Sequence, residues 1–208
     1  MLQRSTIEPA TLDLLRTILA IPELQNFYLV GGTALALRFG HRLSVDLDLF
    51  STDDFEKNHI IGVVETNFPQ VTYKESDSNI GFFCSINEVK VDLVKHHHFS
   101  LIRNPEEIDG IRMFSTQDII AMKIAAILRR AQQKDFFDLV ELLKHYPLQS
   151  CIDFYHEKYP SQQLAISIPY AISYFDDAEN SPTPVSLNGQ TWTGVKKFIQ
   201  AQVREYLS

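Results

Sequence analysis

Two aspartates separated by one residue lie in a segment with the pattern of a β-strand. In VDLDLF, residues 45–50, Val45, Leu47 and Leu49 alternate with the other three residues. Asp46 and Asp48 are therefore predicted to project from one face, with Cα atoms about 6 to 7 Å apart. Carboxylates placed so closely repel each other unless a cation or a hydrogen-bond network compensates them. The pair favours a site for a divalent cation, Mg²⁺ or Mn²⁺, that would also bind phosphate oxygens.

A third carboxylate lies in a second alternating segment. In VKVDLV, residues 89–94, Asp92 falls on the face opposite Val91 and Leu93. Only Asn87-Glu88 separates this predicted strand from another over 80–86, which favours a tight hairpin. Asp92 could join the metal site if its strand lies alongside the strand of the first two acids.

A glycine pair precedes the acid strand. The buried run 27–30 is followed by Gly31-Gly32 and by a predicted helix over 33–39 that Gly40 ends. Free N–H groups and the positive end of the dipole at a helix N-terminus suit a triphosphate. The alternative for Gly31-Gly32 is an ordinary tight turn. The alternative for Asp46 and Asp48 is a pair of solvated charges on a protein surface, which is the more common role of an isolated D-x-D pair.

The remaining periodicity predicts the elements that must position these residues. Helical spacing appears near 12–19 and 54–64, and a further strand is expected over 70–75. Beyond a linker placed near 105–115, Ser115-Thr-Gln-Asp118 resembles a capping box. Helices are then predicted at 115–131, 134–145, 161–176 and 192–206. The chain should thus be strand-rich first and helical afterwards.

The composition is that of a globular protein. Of 208 residues, 45% are hydrophobic and 22% are charged, and no apolar run is long enough for a membrane span. We therefore expect a cytoplasmic protein without membrane contact. The net charge of −7 argues against binding nucleic acid through overall electrostatics, although a local basic patch could hold an acidic substrate. The two cysteines form neither a zinc motif nor a disulfide framework.

Taken together, residues 27–50 resemble the AbiEii/AbiGii-type toxin nucleotidyltransferases, a branch of the polymerase-beta-like superfamily. The match covers the glycine turn, the following helix, the element around Arg42 and Ser44, and the acid pair. Asp92 matches the third acid of the family. Asp118, Lys123, Arg130, the segment KDFFDL at 134–139 and residues 174–179 and 192–197 extend the resemblance over nearly the whole chain.

The resemblance implies an α+β fold. A minimal nucleotidyltransferase core with a mixed β-sheet and flanking helices would occupy residues 1–112, and a helical domain over 113–208 would complete the substrate cleft. It implies transfer of a nucleoside monophosphate from a nucleoside triphosphate to an acceptor hydroxyl on tRNA or protein, with Mg²⁺ or Mn²⁺. It also implies that the protein is the toxin of a toxin–antitoxin or phage-defence system and that a cognate antitoxin is its partner.

The resemblance also assigns roles to residues. Asp46, Asp48 and Asp92 would bind metal, and Lys123 would join them as a catalytic residue that neutralises phosphate. Arg42 would hold phosphates or brace the acid strand. The nucleotide would be bound by Gly31, Gly32, Thr33, Arg42, Ser44, Arg130, Lys134 and Asp135. Lys123, Arg130 and Lys134 are spaced to fall near one helix stripe.

Other interpretations stay open. The chain could be a non-catalytic nucleotide-binding or protein-interaction module on the same fold, although none of the three acids is lost. His41 could touch the nucleotide or hold its loop in place. Consecutive residues on an extended segment cannot all face one centre, so a metal site at His96-His97-His98 is disfavoured. Trp192 is predicted to be a packing residue.

Overall fold

A computed structural model gives the fold of residues 1–208. Seven strands form one mixed sheet with the order β3-β4-β5-β2-β1-β7-β6. Their bounds are β1 Phe27–Leu29, β2 Leu47–Ser51, β3 Thr72–Tyr73, β4 Gly81–Ile86, β5 Val89–Lys95, β6 Glu106–Ile108 and β7 Ile111–Met113. The mixed sheet and its flanking helices confirm the predicted α+β class.

Eight helices accompany the sheet. They are α1 Pro9–Ala20, α2 Gly31–Phe39, α3 Lys57–Asn67, α4 Thr116–Arg130, α5 Gln133–Leu143, α6 Leu148–Lys158, α7 Ile168–Ile172 and α8 Trp192–Leu207. The helices predicted near 12–19, 33–39, 115–131, 134–145 and 192–206 are confirmed. No helix in the structure combines the length and the apolarity needed to cross a membrane.

One predicted helix is wrong in extent, and another helix was missed. The helix expected over 161–176 is reduced to α7, which begins at Ile168 with Pro169 in its first turn. Proline has no backbone N–H and its ring clashes with a preceding helical turn, so it is tolerated in the first turn of a helix and not inside one. The unpredicted α6 carries Leu148, Ile152 and Tyr155 at spacings of four and three residues, and all three are buried. This periodic signal was available in the sequence.

The strand that carries Asp92 lies directly beside the acid strand. β2 and β5 are parallel, and Asp48 pairs with Asp92 in their register. β4 and β5 form the predicted hairpin. Asn87 and Glu88 both have positive φ, of 51° and 66°, as expected for the two central residues of a hairpin turn that follows the strand twist.

The buried face of the sheet and the helices share one core of 53 residues that runs from Leu2 to Val203. The segment predicted to be a linker, 105–115, contains β6 and β7 and therefore belongs to the sheet. Helices follow the last strand, and the division into 1–112 and 113–208 stays a prediction.

The start of α4 anchors two other segments. The Ser115 hydroxyl accepts a hydrogen bond from the Asp118 amide, which confirms the predicted N-cap. The Asp118 carboxylate does not return to the Ser115 amide. It accepts bonds from the Ile102 and Arg103 amides and from Lys158 Nζ, the last at 2.7 Å. The loop before β6 and helix α6 are thus both attached to α4.

Candidate active site

A cavity of about 650 Å³ lies where the start of α2, strand β2 and helices α4 and α5 meet. All but one of the residues predicted for the site line it: Gly31, Gly32, Thr33, Arg42, Ser44, Asp46, Asp48, Lys123, Arg130, Lys134 and Asp135. The exception is Asp92, which lies beside Asp48 without lining the cavity. The fold therefore brings together residues separated by more than one hundred positions.

The three acids have different surroundings. Asp48 is half-buried, and burial together with the neighbouring Asp92 raises its pKa. Asp92 Oδ2 accepts a hydrogen bond of 2.6 Å from Lys90 Nζ, while its Oδ1 is buried and has no partner. Asp46 Oδ2 lies 3.3 Å from Lys134 Nζ. Two of the three carboxylates thus have a lysine as counter-ion.

The donor set fits a hard divalent cation in kind. No group of three His, Cys, Asp or Glu side chains converges as metal ligands in this arrangement, and Lys90 and Lys134 hold two of the carboxylates. Yet Asp92 Oδ1 is buried without a partner, and burial, followed by the charge of Asp92, raises the pKa of Asp48 despite the opposing charges of Lys90 and Lys123. Carboxylate oxygens in this state are the ligands that Mg²⁺ or Mn²⁺ prefers.

The N-terminus of α2 has unused hydrogen-bond donors. Gly31 has φ of +67°, a conformation that favours glycine, and the amides of Gly31, Gly32 and Thr33 donate to no protein acceptor. A Cβ at position 31 would lie 2.6 Å from Asp48 Oδ2. Asp48 on β2 therefore lies directly beside the N-terminus of α2. An anion bound by these amides would also lie next to Asp48.

The side chains of Thr33 and Ser44 are engaged within the protein. The Thr33 hydroxyl donates to the Asp46 carbonyl and lies 2.8 Å from the Ser44 hydroxyl. Both residues are buried. They hold the segment that carries Asp46 against α2, so the group of Thr33 that is free for a ligand is its amide.

Five buried side chains form what we call the ionic cluster: His41, Arg42, Lys123, Asp135 and Asp138. Arg42 binds Asp138 in a bidentate manner, with distances of 2.6 and 2.9 Å, and His41 Nε2 lies 2.7 Å from the same carboxylate. Lys123 Nζ lies 2.8 Å from Asp138 and 2.9 Å from Asp135. The cluster joins the loop before β2 to helices α4 and α5.

The charges within the ionic cluster keep Asp138 ionised and Lys123 protonated. Burial alone would raise the pKa of Asp138, but Arg42 and Lys123 hold it well below the ordinary value. Burial would likewise lower the pKa of Lys123, whereas Asp135 and Asp138 keep it raised. Lys123 therefore lines the cavity as an ammonium that already has two carboxylate partners. His41 and Arg42 hold their loop in place through Asp138.

Asp138, which lies in the KDFFDL segment three positions after Asp135, was not predicted as a site residue. Arg129, which also lines the cavity, was missed as well. The prediction that Lys123, Arg130 and Lys134 share one helix stripe is wrong. The helix is interrupted between α4 and α5 at Ala131, where φ is 27°. Arg130 and Lys134 lie on either side of this break and both face the cavity.

The histidine run and Trp192 lie in different surroundings. His96 is buried, His97 is half-buried and His98 is exposed, so the three side chains of this run have different environments. Trp192 packs against Phe136 and Phe175 with ring centroids 5.6 and 5.7 Å apart, which confirms its packing role.

Gly32→Ala should destabilise the protein, because the new Cβ would overlap Arg42 Nη2. That guanidinium is fixed by its bidentate contact with Asp138, so relief requires breaking a buried ion pair. We expect a loss of about 1–3 kcal/mol in the free energy of unfolding, measured by urea titration.

Gly62→Ala is the matched control. Gly62 lies within α3, and a Cβ there would meet nothing within 4 Å. This variant should gain about 0.5–1 kcal/mol from helix propensity. Equal stabilities for the two variants would contradict the close packing of Arg42 on Gly32.

The chain is similar to proteins of known sequence and of known structure. A protein of Aquifex aeolicus (strain VF5), described as uncharacterized, is 29% identical over 203 residues, covering 94% of this chain and 95% of the relative. Among solved structures, the nucleotidyltransferase toxin MenT4 from Mycobacterium tuberculosis H37Rv superposes with a TM-score of 0.56 at 15% identity, covering 94% of this chain and 82% of MenT4.

A Helicobacter pylori protein whose structure is described as that of a candidate nucleotidyltransferase superposes with a TM-score of 0.51 at 18% identity, covering 97% of this chain and 99% of its own. At such identities these two structures show a shared fold. The model of the family described as "Nucleotidyl transferase AbiEii toxin, Type IV TA system" matches residues 13–184. A match over most of the chain, together with the acid strand and glycine turn described above, shows that this protein belongs to the AbiEii nucleotidyl transferase toxin family.

Proposed function

We propose that this protein is a metal-dependent enzyme that acts as the toxin of a toxin–antitoxin pair. It would transfer a nucleoside monophosphate from a nucleoside triphosphate to an acceptor hydroxyl on tRNA or on a protein, with pyrophosphate as the leaving group. The observation that carries the proposal is the contact of Asp48 with the start of α2. There, unpaired amides and the half-buried carboxylates of Asp46 and Asp48 border one cavity. Residues 113–208 would act as the helical domain that completes the cleft.

The chain's own groups would position the triphosphate. The amides of Gly31, Gly32 and Thr33 would donate to its phosphate oxygens at the positive end of the α2 dipole. Arg129, Arg130 and Lys134, which line the cavity near the α4–α5 break, would neutralise its charge. Lys123, held by Asp135 and Asp138, would contribute positive potential from beneath the site. Arg42 would act as a brace through Asp138.

Asp46, Asp48 and Asp92 would hold the metal. When bound, Mg²⁺ or Mn²⁺ would supply charge stabilisation for the triphosphate and bring the attacking and leaving oxygens into line. Lys90 and Lys134 would have to release Asp92 and Asp46 for this. Asp92, on the strand beside the acid pair, would also be placed to accept the proton of the acceptor hydroxyl.

The test is transfer of label. Purified protein is incubated with Mg²⁺, each α-labelled nucleoside triphosphate and either tRNA or a protein extract, with the Asp48→Asn variant in parallel. Label transferred by wild type alone supports the proposal and identifies nucleotide and acceptor class. Triphosphate binding without transfer to any acceptor would favour the non-catalytic nucleotide-binding module instead.

Lys134→Ala should weaken use of the nucleotide. Lys134 is the cation closest to Asp46, and its removal takes one charged donor from the phosphate region. We expect KM for the nucleoside triphosphate to rise about tenfold, as measured by initial rates of transfer.

Lys144→Ala provides the control. Lys144 follows α5, pairs with Glu141 and does not line the cavity. Its variant should keep the wild-type KM. An unchanged KM in Lys134→Ala would remove Lys134 from the proposed phosphate site.

A further inference from the structure

Along both β2 and β5, which run beside the cavity, an acidic residue is followed on the same face by an apolar one. On β2, Asp48 and Phe50 share a face, and on β5 Asp92 and Val94 do so. Because the strands are parallel, with Asp48 opposite Asp92 and Phe50 opposite Val94, both change in the same direction. The step from acid to apolar residue is about 6 to 7 Å along each strand.

Large apolar and aromatic side chains also line the cavity. We define the aromatic end of the cavity by six of its lining residues: Phe50, Ile80, His96, Phe99, Tyr155 and Tyr159. Phe99 packs edge-on against Tyr159 with centroids 5.0 Å apart, and His96 packs between Phe50 and Phe99 at 5.4 and 5.2 Å. Ring faces and edges therefore line this end.

Two residues of the aromatic end have large apolar side chains that are exposed. Ile80 is 60% exposed and Phe99 is 40% exposed, although both are large and apolar. Both line the cavity, so their uncovered surface borders the space next to the acid strand. An apolar ligand surface placed there would remove this area from water.

Two polar side chains at or beside the aromatic end, His96 and Gln162, are uncharged, and the charged side chains of Lys95 and Arg129 also line the cavity. His96 is 5% exposed, its Nε2 has no hydrogen-bond partner, and burial lowers its pKa to about 4, which keeps it neutral near pH 7. Gln162 Oε1 accepts a bond from the Tyr155 hydroxyl, which leaves the amide NH₂ of Gln162 without a protein partner. The carboxylates that line the cavity are Asp46, Asp48 and Asp135, all outside this end.

We propose that the aromatic end binds the nucleobase of the nucleoside triphosphate. This rests on the proposed function, since it assumes that the phosphates lie at Gly31 to Thr33 and that the ribose spans the step from Asp48 to Phe50. The base stacks on Phe99 and Tyr159, with the Gln162 amide as a hydrogen-bond donor to its edge. A flat ring with polar edge groups matches this surface, because its faces can stack on the aromatic rings and its edge can accept a hydrogen bond from the Gln162 amide.

The experiment compares the four nucleoside triphosphates with inorganic triphosphate in calorimetric titrations of the full chain with Mg²⁺. Wild type should bind at least one nucleotide more tightly than inorganic triphosphate. Phe99→Ala should weaken the binding of that nucleotide about tenfold and leave inorganic triphosphate unchanged, because base–aromatic stacking contributes about 1–3 kcal/mol. Phe99→Leu, which keeps apolar bulk without a ring, should lose affinity in the same direction.

Tyr174→Ala is the control, because Tyr174 is 42% exposed and does not line the cavity. The fluorescence of Trp192, which is also outside the cavity, reports whether each variant is folded. Wild type that binds all five ligands equally would overturn the nucleobase site alone. So would Phe99 variants that bind nucleotides normally but transfer label poorly, since the aromatic end would then belong to the acceptor. Wild type that binds none of the five would overturn the proposed function as well.

Discussion

Asp48→Asn is expected to abolish nucleotidyl transfer and, at the same time, to make the metal-free protein more stable. Transfer should fall by about a thousandfold or more, because the variant loses a charged oxygen ligand at the centre of the site. Burial and the adjacent Asp92 raise the pKa of Asp48, so the ionised carboxylate is unfavourable in the folded state. Asparagine keeps the shape and removes the charge.

The sign of the pH dependence follows from the raised pKa. The stability associated with protonated Asp48 is fully present below its unfolded pKa of about 3.9 and is lost as the pH rises through the higher folded value. At pH 7 the variant should therefore exceed wild type by about 1 kcal/mol, or about 2–4 °C in Tm. This difference should shrink in acid. Thermal unfolding in EDTA from pH 4 to 8 measures it.

A residue needed only for structure would behave differently. Asp48→Asn would then lose stability together with activity, and that outcome would contradict a site in which Asp48 is held for a cation. Asp153→Asn is the control, since Asp153 is exposed on α6 and its main contact is with Gln149. It should change neither transfer nor Tm by a measurable amount.

Asp138→Asn should be the most destabilising conservative change in the chain. Asp138 is the shared partner of His41, Arg42 and Lys123, and its side chain is fully buried. Removing its charge leaves a guanidinium and an ammonium in the interior with Asp135 as their remaining carboxylate. We expect a loss of about 3–5 kcal/mol in the free energy of unfolding. Urea titration followed by Trp192 fluorescence measures it.

The pH dependence of Asp138 has the opposite sign to that of Asp48. Its pKa is held well below the ordinary value, so its contribution is present above the unfolded pKa of about 3.9 and is lost as the pH falls through the folded value. The difference between wild type and variant should stay constant from pH 5 to 8 and decline only in stronger acid. A loss below about 1 kcal/mol at pH 7 would show that the cluster contributes little net stability.

The sequence by itself determined the local parts of the site. Strict alternation in residues 45–50 placed Asp46 and Asp48 on one face, because side chains of a strand alternate with a period of two. The glycine turn, the helix ending at Gly40 and the hairpin at Asn87-Glu88 also follow from short-range sterics. These features depend on neighbours within a few positions, so they can be read without knowing the fold.

The tertiary structure decided which side chains meet. The pairing of Asp48 with Asp92 depends on two parallel strands whose register is set by burial of Leu47, Leu49, Val91 and Leu93. The pairing of Lys123 with Asp135 and Asp138 follows from packing of α4 against α5, whereas Lys90 and Asp92 are neighbours on one face of β5. Such contacts join residues far apart in the chain or choose one of several nearby partners. Sequence periodicity gives the face on which a charge lies, whereas its partner depends on burial and long-range packing.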